Sequence, residues 1–303
     1  MLATLGLTYQ YVYINIMTNE VEKPMSQSVN LKLLSETLPL AISDQGAGQT
    51  YLVLHGGAGP ASVGGLAEAL AKTARAIVPT HPGYAGQPRP DWFRRVEDLV
   101  CANLALLERL DLKDVVVIGN SIGGWIAAEL ALRFSPRIRS IVLIDAVGID
   151  PGPGNPAIVN PMSVPPAERG ALSFHNPKRF ASAPRTPEAL AAMAANQKAS
   201  MTYAGEPFMH DPGLRERLAQ IRIPALLLWG ANDRIVSPAY GQRFANSIPD
   251  ARFELVNEAG HFPQIERLDA VLALVERFGG EFDGNRSHRP PARSRVPAGG
   301  RNP

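Results

Sequence analysis

Ser121 sits at the centre of Gly119-Asn120-Ser121-Ile122-Gly123, where a β-branched run (115–119) gives way to an alanine-rich amphipathic stretch. A Gly-x-Ser-x-Gly string arises by chance in roughly one chain of this length in ten, so alone it says little. Its context is what a nucleophile elbow requires: a buried strand before and a helix directly after. Such a turn strains the backbone of its central residue, and the flanking residues must be tiny for strand and helix to pass closely. The serine oxygen then projects from the carboxyl edge of the strand, over the positive end of the helix. The competing reading is a helix N-cap serine in a doubly wound protein.

A serine hydroxyl near neutral pH is a weak nucleophile and needs a base. Of the six histidines, His288 lies in the C-terminal tail and His175 and His210 in a region without strand signals. His55 and His81 follow apolar runs in glycine-containing turns and read as turn packing. His261, in NEAGHFPQIE, follows the last apolar run in a short loop that can deliver an imidazole to the elbow. A base histidine needs a carboxylate to fix its tautomer and steady the imidazolium. Asp233 in WGANDRIVSP and Asp145 in SIVLIDAVG both end apolar runs. The order Ser121, Asp233, His261 favours Asp233. Asp145 stays as the rival, and an ordinary Asx-turn is the plainer reading of Asp233.

A developing oxyanion needs donors, and LHGGAGP (54–60) is a side-chain-poor loop whose amides can point inward. The N–H of Gly57, or of Ala58, would pair with that of Ile122, the residue after the nucleophile. The same loop lacks the Lys-Ser/Thr ending and the G-x-G-x-x-G spacing of phosphate-cradling loops.

The elements that must position these groups follow from hydrophobic periodicity. Two alternating strands (30–36 and 38–44) precede the buried strand TYLVLHGG (50–57), and helical spacing over 63–76 leads to a strand at 76–83. Residues 91–111 place Phe93, Val96, Leu99, Val100, Leu104, Leu107 and Leu110 on one helical face, with Asp91 as its expected N-cap. Buried strands at 115–119 and 140–148 follow. Residues 150–220 then turn rich in Pro, Ala, Met and Asn and show no convincing strand. Alternation resumes at ALLLWG, continues through RFELVNEAG and closes on a helix over 263–280. Apolar strands alternating with helices imply a mainly parallel sheet covered on both faces.

Residues 48–278, with the HGG loop, THPGYAGQPRP, GNSIGG, WGANDRIVSP and EAGHFPQIE in that order, resemble the α/β-hydrolase fold, serine-nucleophile branch. The resemblance implies an eight-stranded, mainly parallel sheet with a small helical cap inserted after the sixth strand. It also implies a Ser121–His261–Asp233 triad and an oxyanion hole at Gly57 and Ile122. The domain is expected over 29–280, its cap at about 150–220. An N-terminal extension (1–28) and a disordered tail (281–303) flank it.

Composition agrees with a globular enzyme. The 303 residues are 45% hydrophobic and 19% charged, and no apolar run has the length a membrane span requires. A single cysteine, Cys101, excludes an internal disulfide and a thiol zinc site. The net charge of +2 is misleading, because five arginines stand against two acids in the Pro/Gly/Arg-rich tail. That tail reads as a solvated terminus rather than a nucleic-acid arm. The opening residues lack the early positive region and small-residue cleavage site of a secretory signal, so none is expected there. A cytoplasmic monomer or homodimer is expected, with a small-molecule substrate and no cofactor, metal, nucleic-acid or membrane partner.

The leading expectation is a serine hydrolase of small carboxylic esters or related acyl compounds. The elbow and oxyanion loop are also similar to those of hydrolases that split carbon–carbon bonds in ring-fission dienones. That likeness would give Asn120 a contact with substrate oxygens and would call for a cap arginine, with Arg179 as candidate; Phe262 departs from it, where those enzymes often carry Trp. Enol-lactone hydrolysis is a neighbouring reading, and a non-catalytic binding protein on this scaffold is the alternative of another class. Ala58, Asn120, Phe174, Tyr203 and Phe262 are the expected substrate contacts. His175, Met201, Phe208 and Met209 are further possible cap lining.

Overall fold

The computed structural model describes residues 27–33, 36–182 and 186–286, with a two-residue strand at Tyr13–Ile14. Expectations for the rest of the N-terminal segment and for the tail beyond 286, His288 included, lie outside the described residues. Both expected boundaries shift. The first long strand begins at Gln27, inside the segment expected to be an extension, and the last helix runs to Arg286, past the expected domain end.

Eight strands form one sheet: β1 (Gln27–Leu33), β2 (Glu36–Gly46), β3 (Thr50–Leu54), β4 (Arg75–Pro79), β5 (Val115–Asn120), β6 (Ile138–Ile144), β7 (Ala225–Gly230) and β8 (Arg252–Val256). Their spatial order is β1-β2-β4-β3-β5-β6-β7-β8. β2 runs antiparallel to both β1 and β4, and the other pairs are parallel. Helices α1 (Ala61–Leu70), α2 (Val96–Arg109) and α3 (Ile122–Ala131) make the first three crossovers. Between β6 and β7 lie α4 (Pro166–Ser173), α5 (Pro177–Phe180), α6 (Pro187–Ala204) and α7 (Leu214–Arg217). α8 (Pro238–Ala245) joins β7 to β8, and α9 (Pro263–Glu266) and α10 (Leu268–Arg286) close the chain.

The unbroken apolar runs of β5 and β7 are explained by helices on both faces, since every residue of these strands is buried. Period-two alternation divides them between two cores. Val115 and Val117 face α2, α3 and α8, whereas Val116 and Ile118 face α1 and α10. β1, at the sheet edge, shows the mixed pattern of a half-covered strand.

α2 begins at Val96 rather than at Asp91. Its cap is the extended Arg95, and the Asp98 carboxylate accepts from the amides of Arg94 and Arg95 at 2.7 and 2.9 Å. Residues 90–93 form a turn, with Phe93 N donating to Pro90 O at 3.0 Å, so Phe93 is buried from outside the helix.

Three of the prolines behind the composition shift of the 150–220 region, Pro166, Pro177 and Pro187, are helix starts. α4, α5 and α6 each carry proline in the first turn, and the Asn176 and Thr186 side chains cap α5 and α6. At the neck of the insertion Gly148–Ile149 pairs in parallel with His210–Asp211. Arg217 then ties the returning chain to the body, donating to both oxygens of the buried Glu129 on α3 at 3.0 and 2.7 Å.

Arg217→Met should strand the Glu129 carboxylate. Arg217 is about one-third exposed, and Arg133 still approaches Glu129 at 3.6 Å. The expected loss is therefore nearer about 2 kcal/mol than the about 3–5 of a fully buried pair. Urea unfolding checks it; a variant as stable as wild type would contradict this role.

Candidate active site

The elbow is built as its glycines require. Ser121 has φ +56° and ψ −118°, a conformation that costs a non-glycine residue about 1–3 kcal/mol. A methyl group on Gly119 would lie 2.1 Å from the Gly123 carbonyl oxygen, and one on Gly123 would lie 2.3 Å from that of Leu54. The strained residue is fastened at both ends. Its amide donates to Ile144 O at 2.9 Å, and its carbonyl accepts from Gly124, Trp125 and Val147 amides at 2.9–3.2 Å. The Ser121 side chain makes no helix-capping bond, so the N-cap reading fails.

His261 lies in the β8–α9 loop. Its Nδ1 donates to Asp233 Oδ2 at 2.8 Å, which leaves Nε2 as the basic nitrogen. Asp233, just beyond β7, is itself held. Its Oδ1 accepts from the amides of Ile235 and Val236 at 2.7 and 3.1 Å. The Asx-turn and the histidine partner are therefore both present, one on each carboxylate oxygen.

Asp145 lies against this pair without replacing Asp233. The carboxyl oxygens of Asp145 and Asp233 and a ring nitrogen of His261 lie within 4.8 Å of one another. Asp145 Oδ1 accepts from Gly230 N at 2.9 Å, and its side chain interacts with the Asp233 carboxylate. Burial, and after it the charge of Asp233, raise the Asp145 pKa well above the usual carboxylate range. Among the described residues these three are the one set spaced closely enough to hold a metal ion. Within this set the hydrogen bond runs between His261 Nδ1 and Asp233, with Asp145 beside it.

Ser121 and His261 open onto one cavity of about 120 Å³, walled by Gly57, Ala58, Val147, Ile235 and Phe262 from the body. From the insertion come Ile158, Met162, Phe174, Met201, Phe208 and Met209, with polar groups at Asn160, Arg169, Ser173, Gln197 and Ser200. Phe174 and Phe262 pack at 5.4 Å between ring centroids.

Of the residues expected to contact substrate, Ala58, Phe174 and Phe262 line this cavity, and so do Met201, Phe208 and Met209. Asn120 and Tyr203 do not line the cavity. Asn120 Nδ2 donates to Ile144 O and His261 O, each at 3.2 Å, bracing the base loop from behind. Tyr203 is buried and donates to Pro82 O at 2.9 Å, its ring stacked on Tyr84. His175 is outside as well, and Arg179 lies over the Phe180 ring at 5.0 Å rather than in the cavity. Arg169, Gln197 and Ser200 were missed because nothing marks them apart from ordinary polar positions on helices.

The insertion also holds the His261 loop. His261 N donates to Ser173 O at 2.8 Å. The Glu266 carboxylate gathers the amides of Gly260 (2.6 Å), His175 (3.0 Å) and Asn176 (2.9 Å). Behind the glycine loop, His55 Nε2 accepts from His81 N at 3.1 Å and Nδ1 donates to Gly56 O at 2.8 Å. Burial lowers the His55 pKa to about 4, keeping it neutral in this structural role.

Residues 51–274 match the model of the Alpha/beta hydrolase family. The chain belongs to that family. Among its alpha/beta hydrolase relatives is the 2-hydroxy-6-oxononadienedioate/2-hydroxy-6-oxononatrienedioate hydrolase of Cupriavidus pinatubonensis, 27% identical over 86% of this chain and 96% of its own length. Similar solved structures include the meta-cleavage product hydrolase CumD of Pseudomonas fluorescens (22% identity, TM-score 0.66, 80% of this chain and 94% of that one). Another is an esterase of Thermogutta terrifontis (22% identity, TM-score 0.62, 84% and 98%). Both show the shared fold. No helix among the described residues is long and apolar enough to cross a membrane.

Two outcomes separate the acids. Asp233→Asn should lower kcat by about 10³–10⁴ through loss of the correct histidine tautomer, and Asp145→Asn should leave kcat within about tenfold; the reverse ranking would transfer the role to Asp145. The raised Asp145 pKa also has a stability consequence. A carboxyl that binds its proton more tightly when folded costs stability as pH climbs from about 4, the unfolded value, towards the native one. Asp145→Asn removes that loss, so its melting temperature relative to wild type should be higher at pH 8 than at pH 4. An equal difference at both pH values would show that Asp145 is not held protonated.

Proposed function

We propose that this chain is a serine hydrolase cleaving small, mainly apolar acyl substrates, carboxylic esters first among them. The observation that carries the proposal is the opening of Ser121 and His261 onto one largely apolar cavity, with Asp233 bonded behind the imidazole. Ser121 Oγ attacks the carbonyl while His261 Nε2 takes its proton, and Asp233 steadies the imidazolium. The amides of Ile122 and of Gly57, with Ala58 beside it, hold the oxyanion. His261 then protonates the leaving alcohol, and water, activated by the same nitrogen, releases the acid from Ser121. The scheme uses the chain's own side chains and backbone amides, with water as the second nucleophile.

Methionines and paired phenylalanines form an adaptable apolar wall, suited to a short acyl or aryl group rather than a polyanion. A second reading, hydrolysis of a carbon–carbon bond in a dienone acid, is supported by the named activity of the Cupriavidus relative. Arg169 on α4 is the cavity arginine that such a substrate's carboxylate would meet, in place of Arg179. The contact expected from Asn120 is dropped from either reading, since its amide is turned into the protein.

A panel of p-nitrophenyl esters of increasing chain length, lactones and a 2-hydroxy-6-oxo-dienoate discriminates between them. Short esters should turn over fastest, and Ser121→Ala should lower every measurable rate by about 10⁴-fold or more while the protein stays folded. Turnover unaffected in Ser121→Ala would end the serine mechanism. A kcat/KM for the dienoate well above that for all esters would replace the first reading by the second.

A further inference from the structure

The glycine loop that carries the proposed oxyanion donors has almost no side chains with which to hold itself. From the body, Gly56 O accepts from His55 Nδ1 and from Gly59 N, and Gly59 O accepts from Ser62 Oγ at 2.7 Å. The Ala58 carbonyl between them is held from the opposite side, by the insertion. Asn196, buried in the middle of α6, donates from Nδ2 to Ala58 O at 2.8 Å and accepts at Oδ1 from Ala85 N at 2.8 Å. The fit allows nothing larger: a methyl group on Gly59, at φ +86°, would lie 2.3 Å from Asn196 Nδ2. One turn along the same helix, Ser200 Oγ stands 2.8 Å from where a methyl group on Gly57 would be, and Ser200 lines the cavity. Two more residues of this helix complete its seat: Ala199 against Gly83, and Tyr203 bonded to Pro82 O.

We propose that Asn196 is a positioning residue for the oxyanion hole, through which helix α6 of the insertion sets the Gly57–Ala58 amides, so that acyl transfer requires the insertion to be seated. The proposal rests on the serine hydrolase reading. Its physical basis is preorganisation. Amides on a glycine-rich loop have many orientations, and donors stabilise a developing oxyanion well only when they need not reorganise. Asn196 removes that freedom by fixing the Ala58–Gly59 peptide plane against Ala85, a residue itself at φ +49°. A side chain that only fastened the insertion would act on stability and substrate capture. One that sets the donors acts on the transition state.

Asn196→Asp keeps the size and the acceptor for Ala85 but places an oxygen against the Ala58 carbonyl; Asn196→Ser withdraws both contacts. Each should lower kcat on the best p-nitrophenyl ester by about tenfold or more, with KM within about threefold, because ground-state binding is untouched. Affinity for a phenylboronic acid, whose adduct on Ser121 occupies the oxyanion site, should fall by the same factor. In the wild type, that adduct should slow amide hydrogen exchange in α6 as well as in residues 56–59, a readout that requires no variant to fold. Boronic acid affinity within threefold of wild type in a folded variant, or no slowing in α6, would overturn the proposal. Labelling by a fluorophosphonate separates the two levels. If wild-type Ser121 is not labelled, the hydrolase reading falls and this inference with it. If wild type and both variants are labelled at equal rates, this inference alone falls.

Discussion

The carbonyl of one strained residue organises the centre of the molecule. Ser121 can hold its positive φ only because its own carbonyl receives three amides and its amide is taken by β6. The same contacts fix the elbow relative to β3 and β6: Gly123 lies against the Leu54 and His55 carbonyls, and the Val147 amide is drawn up to Ser121. Asp145, Gly57 and Ala58 take their places around Ser121 from those two strand ends. A local conformation that costs energy is thus stabilised by long-range packing, and it in turn sets the spacing of the loops above it.

The second level of organisation is the insertion. It contributes most of the cavity wall, and its backbone and side chains grip the two loops that would do the chemistry. Ser173 holds the His261 amide, and Asn196 holds the Ala58 carbonyl. The roof, whose helices α4, α5 and α6 each start at proline, is bonded to those loops at Ser173 and Asn196. Elsewhere it is free to carry the varied apolar side chains that choose a substrate.

Much of this was legible in the residues themselves, for identifiable reasons. The centre of the sheet was visible because its strands are buried on both faces and read as unbroken apolar runs. Ser121, His261 and Asp233, the residues proposed as nucleophile, base and acid, stood out because each follows a strand end in a short loop or turn. Less visible were features that depend on direction rather than on position. Asn120, next to the nucleophile, points backward to brace the base loop, and Tyr203, a plausible wall residue, turns its hydroxyl to Pro82. The start of α2 was misplaced because Asp98 caps from inside the helix, whereas Asp91 resembles a cap only by type. Asn196 was invisible for a different reason. An asparagine in an alanine-rich helix carries no signal until the loop it reaches, 138 residues earlier, is in place.

Glu266 gathers amides from both sides of the roof line: Gly260 beside the base, His175 and Asn176 at the foot of α5. One carboxylate therefore registers the roof and the machinery to a common origin. This divides the insertion into fixed and editable stretches. Residues 173–176 and 196–203 are reference points, whereas 158–162 supply cavity wall and touch neither the His261 loop nor the glycine loop by a hydrogen bond, their tie to the body being Val159 N to Ile235 O. A lineage, or an engineer, could exchange that wall stretch for another and keep the alignment beneath.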